Sequence, residues 1–262
     1  MKQIELYQVD AFTNLIFGGN PAAVCPLETW LPDRVLQSIA NENNLSETAF
    51  FISKGNDYEL RWFTPKVEID LCGHATLAAA HVVFNHLNYS GVEIRFDTRF
   101  VGPLYVQRKD GWLTLNFPSR SASIVDLPED AIEGFGGIRP QECYQKRDYM
   151  FVYASEEDIR NAKPNFHLLA KLGRYSCITA PGKECDFVSR FFCPGDGVDE
   201  DPVTGSAHSM LIPYWAKRLG KNKMVARQLS ERGGELRCED MGERVLISGQ
   251  AQTYMQGKLF LP

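Results

Sequence analysis

Two stretches of the chain set small and polar residues directly ahead of an apolar run: IDLCGHATLAAAHVVF at 69–84 and DEDPVTGSAHSMLIPYWA at 199–216. Both reach Gly-[His/Ser]-Ala and then a helix-like segment. The first N–H groups of a helix have no partner inside it and carry partial positive charge. A pair of such starts facing one cleft would hold a carboxylate or enolate with neither a metal nor a cationic side chain. Gly73 and Gly205 would let the backbone approach a ligand closely, because neither has a Cβ, although each serves equally well as a turn residue. Asp199, Glu200 and Asp201 also have two readings, as N-terminal caps or as half of an active site.

The elements that must position these groups come in duplicate. Residues 57–65, DYELRWFTP, and 186–194, DFVSRFFCP, share Asp-aromatic-x-x-Arg-aromatic-Phe-x-Pro, and the connection onward to the glycine is three residues longer in the second copy. Upstream, LPDRVLQSIANEN spaces Leu31, Val35, Leu36 and Ile39 as an amphipathic helix with Pro32 in its first turn. Its counterpart, SEEDIRNAKPNFHLLAKLG, opens on a capping-box pair, Ser155 with Asp158, stops at Gly173, and is broken or bent by Pro164. Strand-like runs fill the remainder, with a hairpin turn at Asp110-Gly111. The helix after Gly73 is apolar nearly all round and should lie buried, so each half is expected to wrap a mostly antiparallel sheet around a central helix. The segment NFPSRSAS, residues 116–123, is the expected linker.

Bulk composition narrows the functional classes. A chain of 262 residues, 44% hydrophobic, can bury a full core as one large domain or two smaller ones. A net charge of -5 without long Lys/Arg runs argues against nucleic acid or an anionic membrane as partner. Lys2, Glu5 and Asp10 interrupt any leader-like apolar stretch, and seven cysteines without regular spacing suit a reducing compartment, so a cytoplasmic protein is expected. Metal, nucleotide and serine-hydrolase motifs such as HExxH, GxxxxGK[ST] and GxSxG do not occur, and neither metal nor cofactor is expected.

VDAFTNLIFGGNPAAV (9–24), NNLSETAFF (43–51), LCGHATLAAAH (71–81), DEDPVTGSA (199–207) and GQAQTYMQGKL (249–259) together resemble the phenazine-biosynthesis isomerase-like family, which shares the diaminopimelate epimerase fold. The resemblance runs in order over essentially the whole chain. It implies an α+β fold of two pseudo-symmetric domains, residues 1–118 with 250–262 and residues 119–249, the last strand crossing back to the first domain. It also implies a homodimer with a small carboxylic acid bound in the interdomain cleft.

Within that resemblance Glu47 matches the glutamate that moves a proton between substrate carbons; on the residues alone it reads equally as an exposed charge at a strand edge. Burial beside Phe50 would desolvate it, as a base for a carbon acid requires. His74 matches the family histidine, and its place at a helix start favours a neutral ring. Asp201 completes the catalytic set, paired with His74 or with a substrate hydroxyl or amine. Ser206 is expected to bind the substrate carboxylate, with Ser46, Gly73, Gly205, Asn20 and Thr204 as further contacts. One departure matters: epimerases of this fold use a cysteine at each helix start, and here Cys72 faces Thr204 in the repeat, whose hydroxyl is too weak an acid to replace a thiol. A one-face proton shift is therefore the first expectation. An amino- or hydroxy-acid epimerase and a non-catalytic carboxylate-binding protein are the alternatives.

Overall fold

A computed structural model describes residues 2–196 and 198–261. The chain divides into two compact units, residues 1–116 with 248–262 and residues 117–247. In chain order, the first run comprises β1 (Lys2–Ala11), β2 (Asn20–Leu27), α1 (Asp33–Asn43), β3 (Glu47–Lys54), β4 (Asp57–Phe63), β5 (Glu68–Ile69), α2 (Gly73–His86), β6 (Glu93–Thr98), β7 (Gly102–Lys109) and β8 (Trp112–Pro118). The second comprises β9 (Ser123–Ile124), α3 (Glu129–Gly134), β10 (Glu142–Gln145), β11 (Tyr149–Val152), α4 (Glu156–Asn161), α5 (Phe166–Lys171), β12 (Ser176–Pro181), β13 (Phe187–Cys193), β14 (Val198–Asp201), α6 (Gly205–Leu219), β15 (Lys223–Gln228), β16 (Gly234–Asp240) and β17 (Arg244–Gly249). β18 (Ala251–Leu261) then returns to the first unit.

In the first unit the strands run β18-β1-β2-β3-β4-β6-β7-β8, antiparallel except at β2/β3 and β4/β6. Those two parallel pairs are joined by α1 and α2, since a parallel neighbour can be reached only by a crossover. The second unit repeats the plan as β9-β10-β11-β12-β13-β15-β16-β17, with parallel pairs again at β11/β12 and β13/β15. Here α4 with α5 makes the first crossover and α6 the second. The fold is therefore α+β, with the same topology built twice.

Local chemistry explains the boundaries. α1 follows Pro32, buries Leu36, Ile39 and Ala40, and ends at Asn44, whose φ of 49° turns the chain into β3. The capping box of Ser155 and Asp158 opens α4, and the stretch around Pro164 separates α4 from α5. Asp110 and Gly111 both take positive φ between β7 and β8, the hairpin turn that matches strand twist. α2 buries eleven of its fourteen residues, packed on β1, β2, β3 and β18. Pro213 inside α6 leaves the carbonyl of Ser209 without its helical donor, and the Arg120 N–H takes that place at 2.8 Å.

The duplicated Arg is structural in both copies. Arg61 forks onto Glu68 at 2.7 and 2.8 Å, and Arg190 forks onto Glu200 at 2.8 and 2.8 Å. Each guanidinium also lies 5.1 Å from the ring two residues on, Phe63 or Phe192. Glu200 is thus a paired acid on β14 rather than a solvated or capping charge, because the three extra residues precede it and leave its spacing to Gly205 equal to that from Glu68 to Gly73. No helix among the described residues is long and apolar enough to cross a membrane.

Candidate active site

In the first unit, residues far apart in sequence meet at the start of α2. Glu47 opens β3 and pairs in register with Ala22 of β2, while Asn20 opens β2. Gly19 is held at φ 61°, where a Cβ would stand 2.1 Å from the Ala11 carbonyl oxygen, so only glycine admits the turn that delivers Asn20. Cys72 caps α2 in extended conformation without a side-chain cap bond, and the Thr76 hydroxyl and N–H both return to its carbonyl. Gly73 and His74 are the first two helical residues, both buried.

The imidazole of His74 is the hub. Its Nε2 lies 3.1 Å from Glu47 Oε2, and its Nδ1 lies 3.1 Å from Asn20 Nδ2 and 3.5 Å from Cys72 Sγ. The side chains of His74 and Glu47 are 5% and 16% exposed, so the pair is largely withdrawn from water while the carboxylate keeps an edge open. The Asn20 amide can donate to a neutral Nδ1 or, turned over, accept from a protonated one, so it serves either ring state.

Burial alone would lower the His74 pKa, but the anionic forms of Cys72 and Glu47 beside it outweigh that and hold it well above the ordinary range. Burial, with the Glu47 charge adding to it, pushes the Cys72 thiol up to about 11. The direction of the His74 shift runs against the neutral ring expected from the helix start. The place given to Phe50 also needs correcting. Side chains alternate along β3, and Phe50 packs with Leu36, Ile39 and Phe63 on the α1 side, away from the face that carries Glu47.

Glu47, Cys72 and His74 form the cluster of potential metal donors found among the described residues, with ligand atoms within 4.8 Å of one another. The ring turns Nδ1 to the thiol and Nε2 to the carboxylate, and those lone pairs diverge, so one cation cannot sit in line with all three. Two surface cavities, about 430 and 480 Å³, are lined by other residues, around Tyr214 and Arg218 in one and around Trp30 and Arg61 in the other.

In the second unit, Asp201 ends β14 and accepts a 2.5 Å hydrogen bond from the Thr204 hydroxyl. Thr204 is buried, its N–H donates to Gln228 Oε1 at 2.8 Å, and its carbonyl meets His208 Nδ1 at 2.8 Å. The Thr204 hydroxyl thus orients the Asp201 carboxylate. Gly205 and Ser206 open α6, and Ser206 Oγ accepts from Arg147 Nη2 at 3.1 Å. Ser46 lies half-buried in the bend between α1 and β3. Gln228 and Arg147 were not singled out from the sequence. Gln228 sits in a run without motif or period, while Arg147 could have been found by carrying the repeat upstream to the residues ahead of β11.

The family model for phenazine biosynthesis-like proteins matches residues 9–257. The chain belongs to this phenazine biosynthesis-like family. It is 49% identical over 260 residues to an uncharacterised isomerase of Pseudomonas aeruginosa, covering 99% of this chain and 100% of that one. The crystal structure of a PhzF-family phenazine biosynthesis protein from Enterococcus faecalis superposes with a TM-score of 0.96 at 45% identity, covering 99% and 100% of the two chains. A hydroxyproline epimerase from Agrobacterium vitis shares the fold at a TM-score of 0.62 and 11% identity, with 98% and 92% covered. Membership of the phenazine biosynthesis-like family marks the protein as an isomerase with an epimerase-like fold.

Proposed function

We propose that the protein is a cofactor-independent isomerase that shifts a proton, and with it a double bond, in a small carboxylic acid. The observation that carries this reading is the buried Glu47–His74 pair, 3.1 Å apart, at the start of the apolar helix α2. A carboxylate with one open edge can take a proton from a carbon next to a carboxyl or carbonyl group. The adjacent His74 ring and the positive end of the α2 dipole lower the energy of the enolate that forms. Glu47 then returns the proton to a second carbon on the same face, so base and acid are one residue and no electrons leave the substrate. Asp201 and Ser206, with Gly73, Gly205, Asn20 and Ser46, are proposed as contacts that orient the acid.

Deuterium incorporation from heavy water into a panel of unsaturated and α-substituted carboxylic acids tests the proposal. Wild-type protein should exchange one proton, and Glu47→Gln should lose about 10²–10⁴-fold in exchange rate. Undiminished exchange in Glu47→Gln would remove the assigned role.

A second reading, epimerisation, draws on one contact. Cys72 Sγ lies 3.5 Å from His74 Nδ1, and a thiol pushed up to about 11 is protonated at neutral pH and could donate. Loss of optical rotation in an amino or hydroxy acid, abolished by Cys72→Ala, would favour it over the double-bond shift.

A further inference from the structure

The last two turns of α6 border a cavity of about 430 Å³ that lies wholly within the second unit. Ala122, Met150 and Pro213 give it apolar lining, and the rings of Tyr144 and Tyr214 stand beside them, edge to face with 5.2 Å between centroids. The phenol hydroxyls are already committed. Tyr144 donates to Glu142 Oε2 at 2.7 Å and Tyr214 to the same oxygen at 3.3 Å, while Arg218 Nη1 donates to Glu142 Oε1 and to the Tyr214 oxygen. This network fixes both rings and sets the Arg218 charge against that of Glu142. Lys217 and Ser121 also line the cavity; both are exposed, and neither has a hydrogen-bond or ion-pair partner among the described residues. The 480 Å³ cavity of the first unit differs in this respect, since Trp30 donates to Glu59 there and Arg61 and Arg99 both pair with Asp33.

We infer that the cavity beside Tyr144 and Tyr214 is a binding site for a planar aromatic molecule bearing one anionic group. Its volume is that of a small-ligand pocket. Fixed phenol rings and a methionine thioether favour an aromatic ring over an aliphatic one, through edge-to-face and sulfur contacts. Among the lining charges, Glu142 offsets Arg218 and leaves Lys217 uncompensated, which sets the sign of the ligand. Lys217 stands in the last turn of α6, where it also complements the helix dipole, but that interaction needs no contact and leaves the ammonium available. The Ser121 hydroxyl supplies a second donor for the same anionic group. Pro213 is what brings the linker here: by freeing the Ser209 carbonyl for the Arg120 N–H at 2.8 Å, it lays Ser121 and Ala122 along α6. At about 1.5 Å per residue, Lys217 lies roughly 16 Å along α6 from Ser206, so this ligand is distinct from the acid proposed at the helix start. The inference does not depend on the proposed function.

The test is a titration of the full chain with 2-naphthoate, with uncharged 2-naphthamide and ringless acetate as controls. It is followed through the methyl resonance of Met150, assigned by its absence in Met150→Leu. The ring current of 2-naphthoate should shift that resonance saturably, and acetate should not move it. Lys217→Met should weaken 2-naphthoate about two- to fivefold, the range of an exposed ion pair, and leave 2-naphthamide unchanged. Ala122→Phe, which fills the cavity without removing a hydrogen bond, should abolish the shift by both naphthyl compounds. If Ala122→Phe does not fold, the exposed change Lys217→Met decides the matter. A shift that does not saturate, or equal 2-naphthoate affinity in wild type and Lys217→Met, overturns the site. Repeating the titration in Glu47→Gln separates the two proposals, since the Met150 shift should survive there whether or not proton exchange is lost.

Discussion

His74 carries two opposing demands, a buried ring and an ion pair, and its neighbours decide between them. The folded-state pKa lies above the ordinary 6.5, so the imidazolium is stabilised by the native structure. For a group raised on folding, the stabilisation is fully present below its unfolded pKa and fades as pH rises through the folded value. The stability advantage of wild type over His74→Gln should therefore be greatest below about pH 6.5 and shrink as pH rises above it, read from urea midpoints at each pH. A constant difference would mean that the ring does not titrate above its ordinary value. None of this was readable from the residues around position 74. The helix start suggested a neutral ring, and the pull toward the charged form comes from positions 72 and 47, far apart in sequence from one another. Glu47 itself was legible through its family motif, since a lone acid at a strand start reads as surface charge.

Among the elements, the sequence was most legible where a period or a breaker is strong. The amphipathic spacing of α1, the capping box of α4, the break at Pro164 and the turn at Asp110-Gly111 all follow from local chemistry. β15 and β16, by contrast, carry weak alternation in sequence; they form because β13 and β15 offer backbone groups to be paired. The Arg–Glu forks were half legible, as the duplicated arginine was plain and its partner was not. Arg190 also donates through Nη1 to the carbonyls of Ile159 and Ala162, tying the end of α4 to β13. Its side chain and that of Glu200 are 13% and 19% exposed, so removing the cation would strand a largely buried carboxylate. Arg190→Met should cost about 2–4 kcal/mol in denaturant unfolding, and Glu200→Gln less, because the guanidinium left behind still donates to the Ile159 and Ala162 carbonyls and to the amide oxygen, whereas the Glu200 carboxylate left by Arg190→Met loses its fork. Equal losses in the two variants would show that packing, not charge, is what the fork supplies.

At the scale of the whole molecule, one topology is used twice with different chemistry, and the repeat visible in the sequence was the signal that made this legible. The two copies differ in how their first edge strand is supplied. In the second unit β9 is the two-residue strand that precedes β10, whereas in the first unit that place beside β1 is taken by β18 from the far end of the chain. β18 pairs with β1 over ten residues, Lys2 to Ala11, in antiparallel register with one bulge at Gln8/Val9. It also reaches α2, where Thr253 Oγ1 meets His81 Nε2 at 2.9 Å and His86 Nε2 at 2.8 Å. Burial, with the charge of His86 adding to it, pulls His81 down to about 4, so these rings meet Thr253 without competing charge on His81 at neutral pH. Removing residues 251–262 should leave the backbone of β1 unpaired on one side while Ile4, Leu6, Tyr7 and Val9 still demand burial. Hydrogen exchange read by mass spectrometry should then show protection lost through β1, β2 and α2. Peptides from β11 to β16 should keep theirs, because their sheet and core lie within residues 117–247. Uniform loss of protection across both units would instead mean that the second copy cannot hold its fold without the first. Unchanged protection in β1 would mean that β18 adds nothing to the sheet it completes.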